Sequence, residues 1–358
     1  MRDGLRYEAR NIRDYLKRRG RLKGSLVRYV YRPLDVRWLY WEPDTKLLDE
    51  KRSEYLSHVF EGNLSIAAAP HHRREFDPPS LVRHLGSLHL YERGANLFPL
   101  FLKVESRELL SKSEADIHPN LTETAGCYLR ALGIEPIILF HHVIGLLFAG
   151  KYGLQNGFAL RQDWPRIPLP GRKKALLSSA GLGRRVAGLL DTESPVEGVT
   201  SGKIDPRLTS LGVIRKIGGG ALEPGAGELD VTAGWGGSGA GGVCMPRRGR
   251  AVERSQPDEA TRKSLGKKTF DVYLNETAYW ENVPERVWKY TIGGYQVIKK
   301  WLSYREKAVL GRGLKIEEAE YVTEMVRRIA ALILLEPELD ANYEQVKADV
   351  WDWPTEEG

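Results

Sequence analysis

The 358-residue sequence contains only two cysteines and no long apolar run. Cys127 and Cys244 lie far apart and have no neighbours at metal-ligand spacing, which argues against a disulfide framework and against a zinc site. The most apolar stretch, residues 134–150, is too short for a membrane span and includes a histidine pair, so it predicts a buried core helix. The basic amino terminus lacks the apolar segment of a secretory signal. We expect a cytoplasmic protein with no membrane partner.

Positive charge is unevenly distributed along the chain. The net charge is +7, but residues 1–40 alone carry a net +8 and residues 317–358 carry a net −9. Lysine and arginine neutralise phosphates and release counterions, which is the main source of affinity in most nucleic-acid-binding proteins. The pattern indicates a basic body with an acidic helical tail. Nucleic-acid binding and an ordinary solvated surface both remain open at this point.

Apolar spacing predicts both helices and strands, and therefore an α+β fold. Two strands are predicted around Pro33, at residues 27–31 and 36–40, and another at 269–274. Eleven glycines within residues 218–242 predict hairpins and loops there. Pro284 is expected to begin a helix, and Pro337 to end the last long one. The longer helices are predicted at residues 7–19, 136–151, 173–190 and 317–335.

The order of these elements suggests a division of the chain. We predict a helical connector over residues 1–30, a sheet-containing amino-terminal lobe over 31–175 and a helix-rich carboxy-terminal lobe over 176–358. We expect a domain of these two lobes to contain a basic cleft.

Three segments carry a resemblance to a known family. They are residues 31–41 (YRPLDVRWLYW), 160–170 (LRQDWPRIPLP) and 287–305 (VWKYTIGGYQVIKKWLSYR). In sequence, order and spacing they resemble the carboxy-terminal specificity region of Type ISP restriction-modification enzymes. In that family and in related adenine-methylating restriction enzymes, this region follows the methyltransferase domain and reads the target sequence in DNA. The resemblance therefore implies a target-recognition domain whose partners are double-stranded DNA and the methyltransferase domain of a parent enzyme.

The motifs of the family's catalytic domains do not occur here in proper form. Asp77 to Ser80 spell DPPS, but serine replaces the aromatic residue that stacks on the target base of an adenine methyltransferase, and no strand–glycine turn precedes it. No phosphate loop of the type GxxxxGK[ST] is present. We therefore expect a fragment that is not catalytic by itself and holds no cofactor. S-adenosylmethionine would be bound by the methyltransferase domain of the parent enzyme.

Basic and aromatic residues in these segments suit contacts with DNA. Guanidinium forks match phosphates and guanine edges, lysines hold phosphates, and paired glycines permit a close backbone approach. Trp38, Tyr40, Trp288 and Trp301 are predicted to be core residues rather than base-stacking platforms. The predicted DNA-backbone contacts are Tyr31, Arg32, Arg37, Arg161, Arg166, Gly293, Gly294, Lys299, Lys300 and Arg305, and the predicted base-reading residues are Arg73, Arg74, Arg83 and His84.

Three other features of the sequence offer alternative interpretations. All eight histidines lie between His58 and His142, which could indicate a metal-dependent hydrolase, but no HExxH or similar ligand spacing occurs. The glycine-rich residues 234–242 could hold a nucleotide, but they do not link a long apolar strand to a helix. An interaction scaffold that uses its acidic tail and does not bind DNA is the third alternative.

Overall fold

The computed structural model describes residues 9–20, 23–42, 47–48, 53–69, 76–92, 94–104, 116–239, 244–256 and 258–353. Helices and several small sheets alternate along the chain, which confirms the predicted α+β class. The helices are α1 (Ala9–Arg19), α2 (Ser53–Leu56), α3 (Glu123–Leu132), α4 (Pro136–Leu147), α5 (Gly150–Asn156), α6 (Lys173–Leu190), α7 (Pro206–Thr209), α8 (Glu259–Leu265), α9 (Glu285–Trp288), α10 (Val297–Ser303), α11 (Lys307–Leu310) and α12 (Ile316–Ala348).

The strands pair in small sheets rather than in one continuous sheet. They are β1 (Leu26–Arg32), β2 (Asp35–Tyr40), β3 (Ser65–Ala68), β4 (Ser80–Val82), β5 (Leu85–Gly86), β6 (Asn96–Pro99), β7 (Phe101–Val104), β8 (Asp116–Pro119), β9 (Val213–Lys216), β10 (Gly236–Ser238), β11 (Cys244–Pro246), β12 (Ala251–Ser255), β13 (Lys268–Tyr273), β14 (Ala278–Pro284), β15 (Thr291–Ile292) and β16 (Tyr295–Gln296). The strand orders are β2-β1-β5, β4-β3-β6, β7-β8, β12-β13-β14-β9, β10-β11 and β15-β16. The largest sheet thus shares the carboxy-terminal half with α7 to α12.

One large hydrophobic core connects the two ends of the chain. It includes Val30 of β1, Leu146 of α4, Trp280 of β14 and Val346 of α12, all of them buried. The predicted boundary between residues 175 and 176 falls inside α6. The division into a connector and two lobes stays a prediction. The hydrophobic core contains residues from both predicted lobes.

Helix α12 is longer than its sequence pattern indicates because it continues through Pro337. A proline inside a helix removes one backbone hydrogen bond and costs about 3 kcal/mol. Beyond it, however, Leu339, Tyr343 and Val346 are all at most 4% exposed. Burying each large apolar side chain contributes about 1.5–3 kcal/mol, which together exceeds the cost of the proline. The prediction that Pro337 ends this helix was wrong for that reason.

Helices α4 and α6 pack closely through glycines. A Cβ atom placed on Gly183 would lie 1.7 Å from the carbonyl oxygen of His141, and one on Gly145 would lie 2.9 Å from the backbone nitrogen of Gly183. Glycine lowers the helix propensity of this segment, yet it is the residue that lets the two backbones approach. α6 has the predicted bounds of 173–190, and α4 is the core helix predicted within residues 134–150.

Within the described part of the chain, no single helix has the length and apolar character needed to cross a membrane. Only α3 and α4 taken together reach that length, and they are bent by 105° relative to each other. Eight residues of α4 are buried inside the protein.

We expect Gly183→Ala to destabilise the protein strongly, because the added methyl group would displace the α4 backbone. Overpacking of this kind costs at least about 1–3 kcal/mol. Gly181→Ala is the matched control on the same helix, since a Cβ atom there has open space around it. It should stabilise the helix by up to about 1 kcal/mol. Urea unfolding measures both, and equal effects of the two substitutions would contradict the packing described above.

Candidate nucleic-acid interface

The hairpin of β1 and β2 begins the candidate interface, and its turn is held in an unusual conformation. Leu34 adopts a φ of +54°, which is uncommon for a residue other than glycine. Its side chain is buried, and its carbonyl oxygen accepts a hydrogen bond of 2.6 Å from the Tyr321 hydroxyl on α12. The distant helix therefore stabilises a local backbone conformation that the turn residues would not favour alone.

Asp35, the first residue after this turn, joins the hairpin to the carboxy-terminal half. Its carboxylate is 1% exposed and accepts two hydrogen bonds from Arg305, at 2.8 and 2.7 Å. Arg37 donates a further hydrogen bond of 2.6 Å. Burial would raise the pKa of Asp35, but the bonds and charges of Arg305 and Arg37 outweigh burial and lower the pKa below its usual value. The carboxylate is therefore charged and fully paired.

Aromatic rings and cations surround this ion pair and form what we call the hairpin cluster. Arg37 lies over the rings of Tyr31 and Tyr304, at 4.2 and 4.9 Å. The members of the hairpin cluster come from β1, β2, β16 and the end of α10. They are Tyr31, Arg32, Arg37, Tyr295, Lys300 and Tyr304. Residues that are about 270 positions apart in sequence thus form one surface.

The hairpin cluster holds more positive charge than its carboxylates balance. Arg32 lies over Tyr31 at 4.3 Å and Lys300 over Tyr295 at 4.9 Å, and neither cation forms an ion pair within the described residues. Burial, and after it the charge of Arg32, lowers the pKa of Lys300, although Glu92 acts in the opposite direction. Cation–π contacts hold the side chains without neutralising them. An anion bound here would relieve the repulsion between these cations.

The same hairpin carries a second group of residues, which we call the Trp38 surface. Arg28 of β1 pairs across the strands with Trp38 of β2, and its guanidinium lies 4.8 Å from the indole centroid. Arg28 and His84 both contact the carboxylate of Glu193, and Arg83 contacts that of Asp191. Arg83 and His84, predicted from sequence as base-reading residues, are therefore adjacent to the hairpin. Trp38 is 66% exposed, so its prediction as a core residue was wrong.

Arg328 of α12 supports the loop that presents Asp191 and Glu193. Its buried guanidinium donates to the carbonyl oxygens of Gly188 and Asp191, both at 2.9 Å, and to that of Ser194 at 2.6 Å. The carbonyls of Gly188 and Asp191 lie at the end of α6, where helix carbonyls lack partners within the helix, and that of Ser194 lies in the loop that follows. A cation at this position also interacts favourably with the helix dipole. The loop beside the Trp38 surface is thereby fixed to α12.

The other predicted contact residues are exposed, half-buried or in close contact with the protein itself. Arg161 and Arg166 are exposed, and Lys299 is half-buried on α10. The backbone of Gly293 lies close to Tyr91 rather than facing solvent, since a Cβ atom at this position would lie 2.0 Å from Cδ1 of Tyr91. Gly294 is similarly close to Glu92. Arg73 and Arg74 lie outside the described residues.

The glycine-rich segment binds a carboxylate of the protein itself. The backbone nitrogens of Gly234 and Trp235 donate to Glu306 at 3.2 and 2.7 Å, and Trp235 is fully buried. A Cβ atom on Gly236 would lie 2.0 Å from the carbonyl oxygen of Ser303, which explains why glycine is needed there. The described part of this segment is the predicted arrangement of loop and hairpin strands β10 and β11. Its anion-binding nitrogens are occupied by Glu306.

The buried histidines take part in core packing. His142 contacts the Ser179 hydroxyl at 2.7 Å and the Pro168 carbonyl oxygen at 3.0 Å, and burial lowers its pKa to about 4. Burial, followed by the charge of Arg184, also lowers the pKa of His141. Among the residues that the structure describes, no group of three or more His, Cys, Asp or Glu could hold a metal ion. His71 and His72 fall outside those residues.

Several residues of these two groups were missed from sequence. Asp35, Tyr295 and Tyr304 lie inside the segments already singled out, but an acid in a hairpin and scattered tyrosines gave no indication of their distant partners. Asp191 and Glu193 follow a helix as an ordinary acidic loop would. The one available signal was the position of Asp35, an acid that lies between two predicted strands rich in apolar and aromatic residues.

Comparison with known proteins agrees with this architecture. The ATP-dependent Type ISP restriction-modification enzyme LlaBIII bound to DNA is 15% identical, with a TM-score of 0.53, and the match covers 94% of this chain and 20% of that chain. A nuclease-deletion mutant of the Type ISP enzyme LlaGI in complex with a DNA substrate mimic is 17% identical, with a TM-score of 0.51, and the match covers 93% of this chain and 26% of that chain. The DrdV–DNA complex is 18% identical, with a TM-score of 0.56, and the match covers 92% of this chain and 30% of that chain.

At such identities the likeness shows a shared fold, and the chain spans less than a third of the length of each of these proteins. No curated protein matches the sequence. The fold is one that this chain shares with part of two Type ISP restriction-modification enzymes. The model of the Type ISP C-terminal specificity domain matches residues 7–331. This chain belongs to that family, which confirms the resemblance found in the sequence.

Replacing Asp35 with asparagine should destabilise the protein by about 3–5 kcal/mol, because it leaves the buried Arg305 without its counter-charge. The wild-type contribution is complete above the unfolded-state pKa of about 3.9 and is lost as the pH falls through the lower folded-state pKa. Below about pH 4, the free energy of unfolding should therefore depend less on pH in Asp35→Asn than in the wild type.

Asp163→Asn is the matched control for this measurement, since Asp163 is 62% exposed in its ion pair with Arg166. It should change the free energy of unfolding by no more than about 1 kcal/mol. Urea titrations across the acid range measure both variants. Identical pH profiles for the wild type and Asp35→Asn would show that Asp35 is not charged and paired as described.

Proposed function

We propose that this chain recognises a specific sequence in double-stranded DNA, as the specificity part of a restriction-modification adenine methyltransferase. The observation that carries the proposal is the excess positive charge of the hairpin cluster, where Arg32, Arg37 and Lys300 lie against tyrosine rings. Membership of the Type ISP specificity-domain family supports DNA as the ligand. So do the structural neighbours, which were determined with DNA.

In this proposal the hairpin cluster contacts DNA phosphates. Arg32, Arg37 and Lys300 supply the charge, and Tyr31 holds the guanidinium groups in place through its ring. Arg305 has a positioning role because Asp35 occupies its guanidinium. Arg161, Arg166 and Lys299 are proposed as further phosphate contacts, and Arg83 and His84 as base-reading residues.

The methylation step belongs to another part of the parent enzyme in this proposal. S-adenosylmethionine would be held by its methyltransferase domain, and this chain would set where that domain acts. The DPPS sequence supports this division of roles, because Asp77 accepts a hydrogen bond from the Thr291 hydroxyl and Ser80 is buried at the start of β4. The two free cysteines are consistent with the proposed cytoplasmic location.

Binding of the full chain to random-sequence duplexes over a salt series, followed by sequencing of the retained DNA, tests the proposal. We expect one enriched motif and an affinity that falls steeply with salt. Retention without enrichment would indicate non-specific binding only. No retention at low salt would contradict the proposal and favour the interaction scaffold.

Lys300→Gln should weaken binding to the enriched duplex. Loss of one phosphate contact should also reduce the slope of log affinity against log salt by about 0.9. Lys347→Gln is the matched control, because it removes the same charge from α12, where Lys347 is paired with Glu344. Equal slopes for Lys300→Gln and the wild type would show that the hairpin cluster does not contact phosphate.

A further inference from the structure

Trp38 is exposed to an extent that sets it apart from the other tryptophans. Its exposed fraction is 66%, compared with 44% for Trp353 and 37% for Trp164, while Trp235, Trp280 and Trp301 are at most 3% exposed. A single exposed aromatic residue needs no explanation by itself. The surroundings of Trp38 do need an explanation, because contacts with other side chains hold its indole ring in place.

A series of contacts fixes the indole ring of Trp38. The Arg28 guanidinium lies over it at 4.8 Å, and Glu193 in turn holds that guanidinium. The backbone nitrogen of Glu193 donates to Asp191 at 3.2 Å, and Arg328 binds the carbonyl oxygen of Asp191. The side chain is therefore tied through Arg28 and the 191–194 loop to α12. A flat ring held in this way loses little conformational freedom when it binds a ligand.

The chemistry around the ring favours a nucleobase over an apolar protein segment. Arg28 lies over the exposed indole and pairs with Glu193, which also contacts His84, and Arg83 pairs with Asp191 of the same loop, so charged groups lie beside the aromatic ring. Nucleobases stack on aromatic rings, and the phosphates on either side of them pair with cations. An apolar partner would remove these ion pairs from water without supplying any hydrogen bond in return.

We propose that Trp38 stacks on a nucleobase that leaves the duplex stack when this chain binds DNA, an inference that rests on the proposed function. Bases inside an intact duplex already stack on their neighbours, so the indole can reach a base face only at an opened step or at an extruded base. Arg28 and Glu193 act as positioning residues that set the orientation of the ring. Arg83 and His84 lie where the flanking phosphates or base edges pass.

The first test is the affinity of Trp38→Ala for the enriched duplex. We expect a loss of about tenfold or more, the effect typical of removing one base–aromatic contact. Trp38→Phe keeps a ring and should retain most of the affinity. Trp353→Ala is the matched control, because Trp353 is also an exposed tryptophan and is distant from Trp38 in sequence. This variant should bind DNA as the wild type does. Unchanged urea midpoints for these variants would show that folding is intact.

The second test locates the contact directly. Each thymine of the enriched duplex is replaced in turn by 5-iodouracil, the complex is irradiated, and the cross-linked peptide is identified by mass spectrometry. A cross-link to Trp38 at one or two adjacent positions is expected, and it should be lost in Trp38→Ala. Wild-type affinity of Trp38→Ala together with cross-links only to other residues would overturn the inference and leave the proposed function intact. Failure of the wild-type chain to retain any duplex would overturn both.

Discussion

The structure depends on the buried contact between Asp35 and Arg305. It joins two residues 270 positions apart and attaches the amino-terminal hairpin to the end of α10. A buried carboxylate needs such a partner, since an unpaired charge in the interior costs several kcal/mol. Because Arg37 shares the same carboxylate, the contact also sets where the unneutralised cations of the hairpin cluster lie. Fold and candidate interface are therefore linked through one side chain.

The acidic tail has a corresponding role in the charge distribution. Acidic residues in and just after α12 pair with cations from other parts of the chain: Glu318 with Arg312, Glu336 with Arg286, Glu338 with Arg185, Glu344 with Lys151, and Asp349 with Arg172. These pairs are exposed or half-exposed, and each is worth little by itself. Their combined effect is to neutralise basic residues away from the hairpin. Arg32 and Lys300 have no such partner in the described part of the chain, so the hairpin cluster keeps positive charge that these carboxylates do not neutralise.

Much of the local structure follows from sequence pattern. The bounds of α6, the hairpin around Pro33, strand β13 and the short helix after Pro284 agree with their predictions because apolar periodicity and proline act over a few residues. The segments 31–41 and 287–305 were also identified from sequence, and both contribute to the hairpin cluster. Pro337 and Trp38 were misjudged because burial by distant elements, rather than local preference, determines whether a helix continues or a ring is covered.

The amino-acid sequence by itself determined the α+β class, the family and the uneven charge, and it predicted which residues contact DNA. Only the tertiary structure decided which of these residues meet. In the tertiary structure Asp35 pairs with Arg305, and Glu306 accepts hydrogen bonds from backbone nitrogens of the glycine-rich loop. Trp38 stays exposed, with the Arg28 guanidinium over its ring. Local patterns specify backbone conformation and which face of an element is apolar. Partners of a charge and the exposure of a ring depend on chain segments that are distant in sequence, and no local pattern contains that information.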